Sequence, residues 1–276
     1  MNAVAVIAGK ELRDGLRNRW VIATTLLMAA LALTLTLLGS APAGTVGVSA
    51  LAATIVSLSS LTIFLVPLIA LLISYDAIAG ELERGTMALL LSYPVSRSAV
   101  VVGKFLGASA ILAVATVVGY GAGGVALALG GGAAEPEAWA AFAAMVGSSV
   151  LLGMVFVALG YIASACVRDP RTGGGIAVGV WLLFALIYDM ALLGLLVADQ
   201  GRLMTVGLLN ALLLANPTDV YRLLNFTGFS DVSRFAGLAG LTQQMRFGAP
   251  VLAAVLCAWV AVPLAAAMLL FKRREL

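Results

Sequence analysis

Histidine is absent from this sequence of 276 residues, and charged side chains are scarce. The missing histidine removes the commonest general base and the commonest metal ligand of proteins. Charged residues make up 11% of the chain and hydrophobic residues 62%, whereas an average globular domain has ~25% and ~45–50%. So few charges cannot cover the surface of a water-soluble domain. The composition therefore predicts a polytopic membrane protein and excludes a secreted enzyme, a disordered chain and a nucleic-acid binder.

Sulfur-containing residues give little sign of a metal site or a redox role. Cys166 and Cys257 each lie in an apolar run without ligand-like spacing, and we interpret both as small buried hydrophobes. Thioethers bind Cu(I), so the nine methionines raise the alternative of a copper path. Because no M-x-x-M or C-x-x-C pattern occurs, we interpret the methionines as gap-fillers of apolar cores.

Long apolar runs give the topology. A helix of ~20 apolar residues crosses the ~30 Å hydrocarbon core of a bilayer. The segments that qualify are residues 20–38, 51–75, 105–129, 139–167, 176–198 and 249–271. Their even number puts both termini on one side, and most basic residues lie there: Lys10, Arg13, Arg17, Arg19, Arg84, Arg97, Lys104, Arg168, Arg171, Lys272, Arg273 and Arg274. The positive-inside rule therefore predicts that both termini are cytoplasmic.

Residues 1–19 predict an amphipathic helix. Apolar or small residues recur at every fourth position from Val4 to Trp20, and Lys10, Arg13 and Arg17 lie on the opposite face. Such a helix lies in the headgroup plane of the bilayer with its cations near anionic lipid. We expect an interfacial anchor, and the alternative is a connecting helix that also touches a cytoplasmic partner.

The loop between the second and third spans, residues 76–104, has the pattern of a docking element. We expect the second span to continue as a helix with two exposed glutamates, followed by a break and a short apolar helix. Gly85 suits the position after the first helix, and Thr86 suits the N-cap of the second. Rigid acidic and apolar tips suit docking into a partner's groove, and an ordinary ion-paired loop is the alternative. The residues assigned to docking are Glu81, Glu83, Arg84, Gly85, Thr86 and Arg97.

The connection between the fifth and sixth spans, residues 199–248, is rich in structure for a loop. Its Asn-Pro-Thr-Asp sequence opens a helix with an asparagine cap and proline in first position. We expect re-entrant or interfacial helices, with their polar residues outward, that form an extracytoplasmic gate and docking platform. A passive lid is the alternative. The residues assigned to the gate or to partner contact are Asn216, Pro217, Asp219, Arg222 and Asn225.

Asp189 is the only acid deep within a predicted span. A carboxylate at that depth is expected to face the bundle interior or water. It would serve either as a proton or cation relay or as a structural partner of an arginine from the following loop, and we favour the second.

Several motifs together resemble a known family. The pattern E-x-E-x-G-T, then L-L, P-x-S-R and G-K, over residues 81–104, resembles the coupling region of type-2 ABC exporter permeases. Residues 9–20 and 216–225 resemble those members that serve the copper–sulfide centre of nitrous oxide reductase. The resemblance implies a homodimer in the bacterial inner membrane, two copies of a cytoplasmic ABC ATPase and a periplasmic accessory protein.

The sequence independently requires a separate ATPase, because no G-x-x-x-x-G-K-[ST] motif occurs. ATP and Mg are therefore expected in the partner, and no cofactor or metal in this chain. We expect an all-α, six-span, non-catalytic permease that couples ATP hydrolysis to export or to mechanical signalling. The alternatives are a mechanotransmission scaffold through which no substrate crosses, an exporter of another substrate, a scaffold without ATP coupling and an intramembrane enzyme. The last would need convergent catalytic groups, and Asp189 has none near it in sequence.

Overall fold

The protein is described by a computed structural model that covers residues 2–39, 50–129, 136–199, 205–227 and 247–274. These residues form helices joined by short turns, without a strand among them. The helices are α1 Ala3–Leu16, α2 Arg19–Gly39, α3 Ala50–Ser74, α4 Ala79–Glu83, α5 Thr86–Leu91, α6 Arg97–Leu129, α7 Pro136–Cys166, α8 Pro170–Leu182, α9 Tyr188–Asp199, α10 Val206–Leu214, α11 Pro217–Thr227 and α12 Ala249–Arg273. A π-helical turn, Leu183–Ile187, joins α8 to α9.

Within the described ranges, six helical stretches are long and apolar enough to cross a bilayer, which confirms the predicted all-α, six-span architecture. They are Arg19–Leu38, Leu51–Glu83, Arg97–Leu129, Pro136–Cys166, Pro170–Asp199 and Ala249–Arg273. The third stretch begins at Arg97 rather than at residue 105, because Lys104 is paired with carboxylates and does not end the helix. The fifth begins earlier than predicted, where Asp169 caps α8 by accepting the amides of Arg171 and Thr172.

The centre of the bundle is built on α6 and α7. The helices α1 and α2 follow α6 in the same direction, with Ile7 against Gly103 and Met28 against Gly119. A Cβ on Gly119 would lie 2.9 Å from the Cβ of Met28, so only glycine allows this approach. Small residues let helices pack closely where lipid supplies no hydrophobic driving force. On the other side, α3 and α12 flank α7.

Two elements lie in opposite halves of this bundle. The short helices α4 and α5 lie beside the C-terminal end of α7, where the hydroxyl of Ser164 accepts the amides of Ile78 and Ala79, each at 3.0 Å. The helix α11 packs in the other half, against α3, α7 and α12. We call these the α5 end and the α11 end.

Both cysteines differ from the prediction. Cys166 and Cys257 are free and exposed on the surface of the bundle, not buried. A membrane helix exposes apolar side chains to lipid, so an apolar run does not identify a buried position.

Candidate functional site

The tip of the predicted docking loop contains a left-handed glycine. Gly85 has φ 72° and ψ 0° and follows Arg84, the C-cap of α4, as predicted. Thr86 is not the N-cap of α5, as we had expected, but its first helical residue. Its hydroxyl turns back to the carbonyl of Glu81 at 3.2 Å. The two helices follow each other so closely that Gly85 itself takes the cap position.

Glu81 is not exposed, which corrects the expectation of two solvated glutamates. The ammonium of Lys104 on α6 donates to Glu81 Oε1 at 2.8 Å and to Glu11 Oε1 on α1 at 2.7 Å. The Lys104 side chain is only 4% exposed and that of Glu81 15%. Because Ser164 holds α4 against α7, Glu81 faces the bundle instead of water. We call Glu11, Glu81 and Lys104 the Lys104 triad.

The Lys104 triad was missed because its members lie far apart in sequence. It has two carboxylates for one buried ammonium, and Glu81 Oε2 is buried without a hydrogen-bond partner among the described residues. Lys10 approaches Glu11 Oε1 at 3.7 Å from the exposed side of α1. The triad thus joins α1, α4 and α6 by contacts that depend on charge.

The exposed part of the tip is both charged and apolar. Glu83 and Arg84 are exposed, as predicted. Leu89 is 68% exposed and Tyr93 65%, whereas Met87 on the inner face of α5 is fully buried. Leu89 and Tyr93 were not predicted as site residues, although a six-residue apolar helix cannot bury every face. Large exposed apolar side chains beside charges are typical of protein-binding surfaces.

Arg97 is not free for docking, which corrects its assignment. Its Nη1 donates to the carbonyls of Phe271 at 3.2 Å, Lys272 at 3.0 Å and Arg274 at 2.6 Å. Its guanidinium carbon lies 5.8 Å from the centroid of the Phe271 ring. The last carbonyls of a helix lack intrahelical partners, and an arginine satisfies them well. Arg97 therefore fastens the start of α6 to the end of α12.

The cations of the predicted interfacial helix are exposed, but α1 packs lengthwise along α6 rather than across it, and its buried face lies one position away from the predicted stripe. Lys10, Arg13 and Arg17 point away from the bundle, and Lys10 pairs with Asp14 at 3.2 Å. The inner face is Ile7, Glu11 and Gly15, packed along α6, while Leu16 and Trp20 of the predicted stripe stay exposed. The pairing of Glu11 with Lys104 sets this face, and hydrophobicity alone could not reveal it.

The start of α11 has the predicted cap. Asn216 Oδ1 accepts the amide of Thr218 at 3.1 Å, and Pro217 is the first helical residue. The Asn216 amide group donates to the carbonyl of Phe184 at 3.2 Å, and the Thr218 hydroxyl donates to the same carbonyl at 3.0 Å. Phe184 lies in the π-helical turn, a local distortion that is frequent at functional sites.

The polar residues of α11 point into the bundle, contrary to the expectation that they face outward. Asp219 is 2% exposed and Asn225 3%. Asn225 Oδ1 accepts the hydroxyl of Ser148 on α7 at 3.0 Å, and Tyr221 shares a hydrogen bond of 2.9 Å with Ser149. Because α11 lies between other helices, its polar groups find protein partners rather than water. The rest of the predicted segment, residues 200–204 and 228–246, lies outside the described residues.

Asp189 has the partner that the sequence favoured. The Arg222 guanidinium binds Asp189 Oδ2 through Nη2 and Asp219 Oδ1 through Nη1, both at 2.7 Å. Asn216 completes the group by donating to Asp219 Oδ2 at 3.0 Å. Burial, reinforced by the Asp189 carboxylate, raises the pKa of Asp219 to about 6. We call these four residues the Arg222 cluster, and it joins α11 to α9.

Comparison with known proteins covers nearly the whole chain. The family described as "ABC-2 family transporter protein" matches residues 5–276. A protein of Stutzerimonas stutzeri named "Probable ABC transporter permease protein NosY" is 46% identical over 275 residues, which is 99% of each chain. A protein of the same name from Pseudomonas aeruginosa is 46% identical over 281 residues, covering 100% of both chains.

Proposed function

This chain belongs to the ABC-2 family of transporter proteins, and we propose that it is a permease subunit moved by a separate cytoplasmic ATPase. Two relatives that are named ABC transporter permeases and match this chain over nearly their whole length support the proposal. The lack of a phosphate-binding loop in the sequence supports it as well, because ATP and Mg must then bind to the partner. In this proposal the chain itself is non-catalytic and holds no cofactor.

The exposed tip of the docking loop is the observation that carries the proposal. In this proposal both termini are in the cytoplasm of a bacterial inner-membrane protein. The α5 end, which includes the C-terminal end of α12, then lies on the cytoplasmic side, outside the lipid. Leu89 and Tyr93 would then face water unless a partner covers them. We propose that the ATPase binds here, with Leu89 and Tyr93 as apolar anchors and Glu83 and Arg84 at the rim. The left-handed Gly85 and the Thr86 bond to Glu81 would hold α5 at a fixed angle to α4.

Replacing Leu89 and Tyr93 by alanine tests this docking surface. We expect the detergent-extracted variant to bind its ATPase at least about tenfold more weakly, the effect of ~1.4 kcal/mol. Leu129→Ala is the matched control, since Leu129 is 83% exposed at the far end of α6. The measurement is the amount of ATPase recovered with each variant across a range of ATPase concentrations. Equal recovery with the double variant and the control would contradict the proposal.

We further propose that two copies of the chain pair through the fifth span. In Pro170–Asp199 few side chains are buried, and a Cβ on Gly175 or Gly179 would meet nothing within 4 Å among the described residues. Glycines four residues apart on an open helix face suit close helix pairing in a membrane. With Cys166 and Cys257 replaced by alanine, a cysteine at Gly179 should therefore form a disulfide-linked dimer in membranes, and one at Leu129 should not.

The narrower proposal concerns the substrate. The name NosY of both relatives, together with the motifs at residues 9–20 and 216–225, supports a role in building the copper–sulfide centre of nitrous oxide reductase. A NosD-like periplasmic accessory protein would then be the extracytoplasmic partner. Cells that lack this chain should make nitrous oxide reductase without the absorption of that centre, and the wild-type chain should restore it. An unchanged spectrum would favour an exporter of another substrate.

The Arg222 cluster changes what the extracytoplasmic segment can do. Of the five residues assigned to it, only Arg222 has a side chain with substantial exposure, 33%, so the others cannot be contacts of an accessory protein. We propose that α11 is an internal gate whose movement either opens a path or flexes the accessory protein. The second case is mechanotransmission, in which no substrate crosses.

A further inference from the structure

The helix α12 is fastened near both ends to the elements that carry the proposed function. At the α5 end, Arg97 lies six residues after Leu91, the last residue of α5, and donates to three carbonyls at the end of α12. Hydrogen bonds from an ionised donor are roughly twice as strong as neutral ones. A displacement of α5 therefore reaches α12 through Arg97.

The same end of α12 is held to α7. The Arg274 guanidinium donates to the carbonyls of Ser164 at 3.4 Å, Ala165 at 3.2 Å and Val167 at 2.6 Å. These carbonyls lie at the C-terminal end of α7, where intrahelical donors run out. Residues 271–274 are thus a clasp between the third, fourth and sixth spans.

The second attachment of α12, toward the α11 end, is Trp259. Its indole Nε1 donates to the carbonyl of Leu214 at 3.1 Å, and its ring packs edge-on against Phe184 with centroids 5.7 Å apart. Leu214 is the last residue of α10, and Asn216, the cap of α11, follows two residues later. The indole bond therefore holds the segment that leads into the gate.

One continuous helix joins these two attachments. Trp259 and Phe271 are separated by ~18 Å of helix at 1.5 Å per residue, and α12 runs unbroken through Pro263. Proline has no amide for the carbonyl four residues before it, which here is that of Trp259. The helix is therefore easiest to bend beside Trp259.

From these contacts we infer that α12 transmits the movement of the docking tip to α11, with Arg97 and Trp259 as the positioning residues at its two attachments. The inference rests on the proposed function, since the ATPase must move the tip. It adds which helix carries the movement and which two side chains fasten it.

The experiment follows α10, the helix that leads into α11, in the complex with the ATPase. An environment-sensitive fluorophore is placed on Leu208→Cys of α10, which is 46% exposed, after both exposed native cysteines have been replaced by alanine. ATP should change its emission in the otherwise wild-type complex. We expect Trp259→Phe, which keeps a ring but loses the donor, to lower the ratio of moved to resting molecules about fivefold, as expected for one hydrogen bond of ~1 kcal/mol. Arg97→Lys, which has a shorter side chain and loses the planar guanidinium over the Phe271 ring, should do the same.

Matched controls separate transmission from general damage. Trp181→Phe also removes one indole bond, to the carbonyl of Phe64 at 2.9 Å, but on the fifth span. Arg171→Lys changes an exposed arginine at the α5 end in the same way. Both controls should keep the full ATP response, and all four variants should keep ATPase binding and hydrolysis.

Each outcome decides one of the two proposals. If the wild-type chain does not bind an ATPase, the proposed function fails. If it binds and ATP is hydrolysed, but the probe is silent, or Trp259→Phe and Arg97→Lys respond like wild type, the role of α12 fails alone. An equal loss in Trp259→Phe and Trp181→Phe would also overturn that role.

Discussion

Removing the ammonium of Lys104 should destabilise the protein far more than removing any exposed lysine. In Lys104→Met the carboxylates of Glu11 and Glu81, which lie 2.7 and 2.8 Å from that ammonium, would face each other in a site where the lysine is only 4% exposed. Deleting one partner of a buried ion pair costs ~3–5 kcal/mol because the remaining charge is left unpaired. Lys272→Met, at an exposed position of the same end, should cost no more than ~0.5 kcal/mol.

A compensating variant makes this prediction specific to charge. When Glu11→Gln and Glu81→Gln accompany Lys104→Met, the triad contains no charge at all. Most of the lost stability should then return, because replacing every member of a buried ion pair or triad by uncharged residues often changes the free energy of unfolding little. The assay is thermal or denaturant unfolding in detergent, monitored by helical circular dichroism, for the four proteins. A loss below ~1 kcal/mol in Lys104→Met, or no recovery in the triple variant, would refute the reasoning. The same contacts predict that reversing the charge of Glu81 harms folding while reversing that of Glu83 does not.

Three other predictions concern topology and the Arg222 cluster. In a cysteine-free background, a cysteine at Leu276 should resist an impermeant thiol reagent in intact cells and one at Ala133 should react; the reverse pattern would invert the orientation. Burial raises the pKa of Asp219 from its ordinary 3.8 to about 6, so its stabilising contribution is present below pH 3.8 and is lost as the pH rises through about 6. The unfolding temperature of wild type relative to Asp219→Asn should fall over that interval, and a rise would contradict the assignment. Arg222→Glu would add a third acid to Asp189 and Asp219. It should lower the free energy of unfolding in detergent by ~3 kcal/mol or more. Loss of a periplasmic partner without loss of stability would instead restore the docking hypothesis.

Local patterns predicted the features that depend on neighbouring residues alone. The length of an apolar run determines whether a helix crosses a bilayer, and all six spans were found in this way. Caps are equally local, because a side chain or a glycine acts on amides within a few residues. Gly85 and Asn216 therefore take the expected positions. Thr86 is the first helical residue of α5 instead of its N-cap, because no residue separates Gly85 from α5.

The side of each polar residue could not be predicted, because it depends on contacts between distant parts of the chain. Glu81 and Glu83 look alike in sequence, yet only Glu81 lies opposite Lys104, since Ser164 pins α4 to α7. In the same way, the alternation of polar and apolar residues in α11 suggested a face in water. That polar face instead meets Ser148 on α7 and Asp189 on α9. A charge near a membrane helix thus indicates a polar environment and does not say whether water or protein supplies it.

Because charged residues are scarce, the few charged contacts between helices affect which helices move together. In lipid, helices gain little from hydrophobic attraction to each other, so their relative positions depend on close packing and on interhelical hydrogen bonds. In the described residues the charge-dependent contacts between helices gather in a few places: the Lys104 triad, the clasp of Arg97 and Arg274, and the Arg222 cluster. The first two surround the α5 end, and the third holds α11 to the fifth span. A force applied at the α5 end is therefore shared by α1, α6, α7 and α12, and of these α7 and α12 have the extensive contacts with α11. Of these two helices, α7 is the more deeply packed, and α12 has its weakest turn beside Trp259. We therefore expect α12 to move more easily than α7.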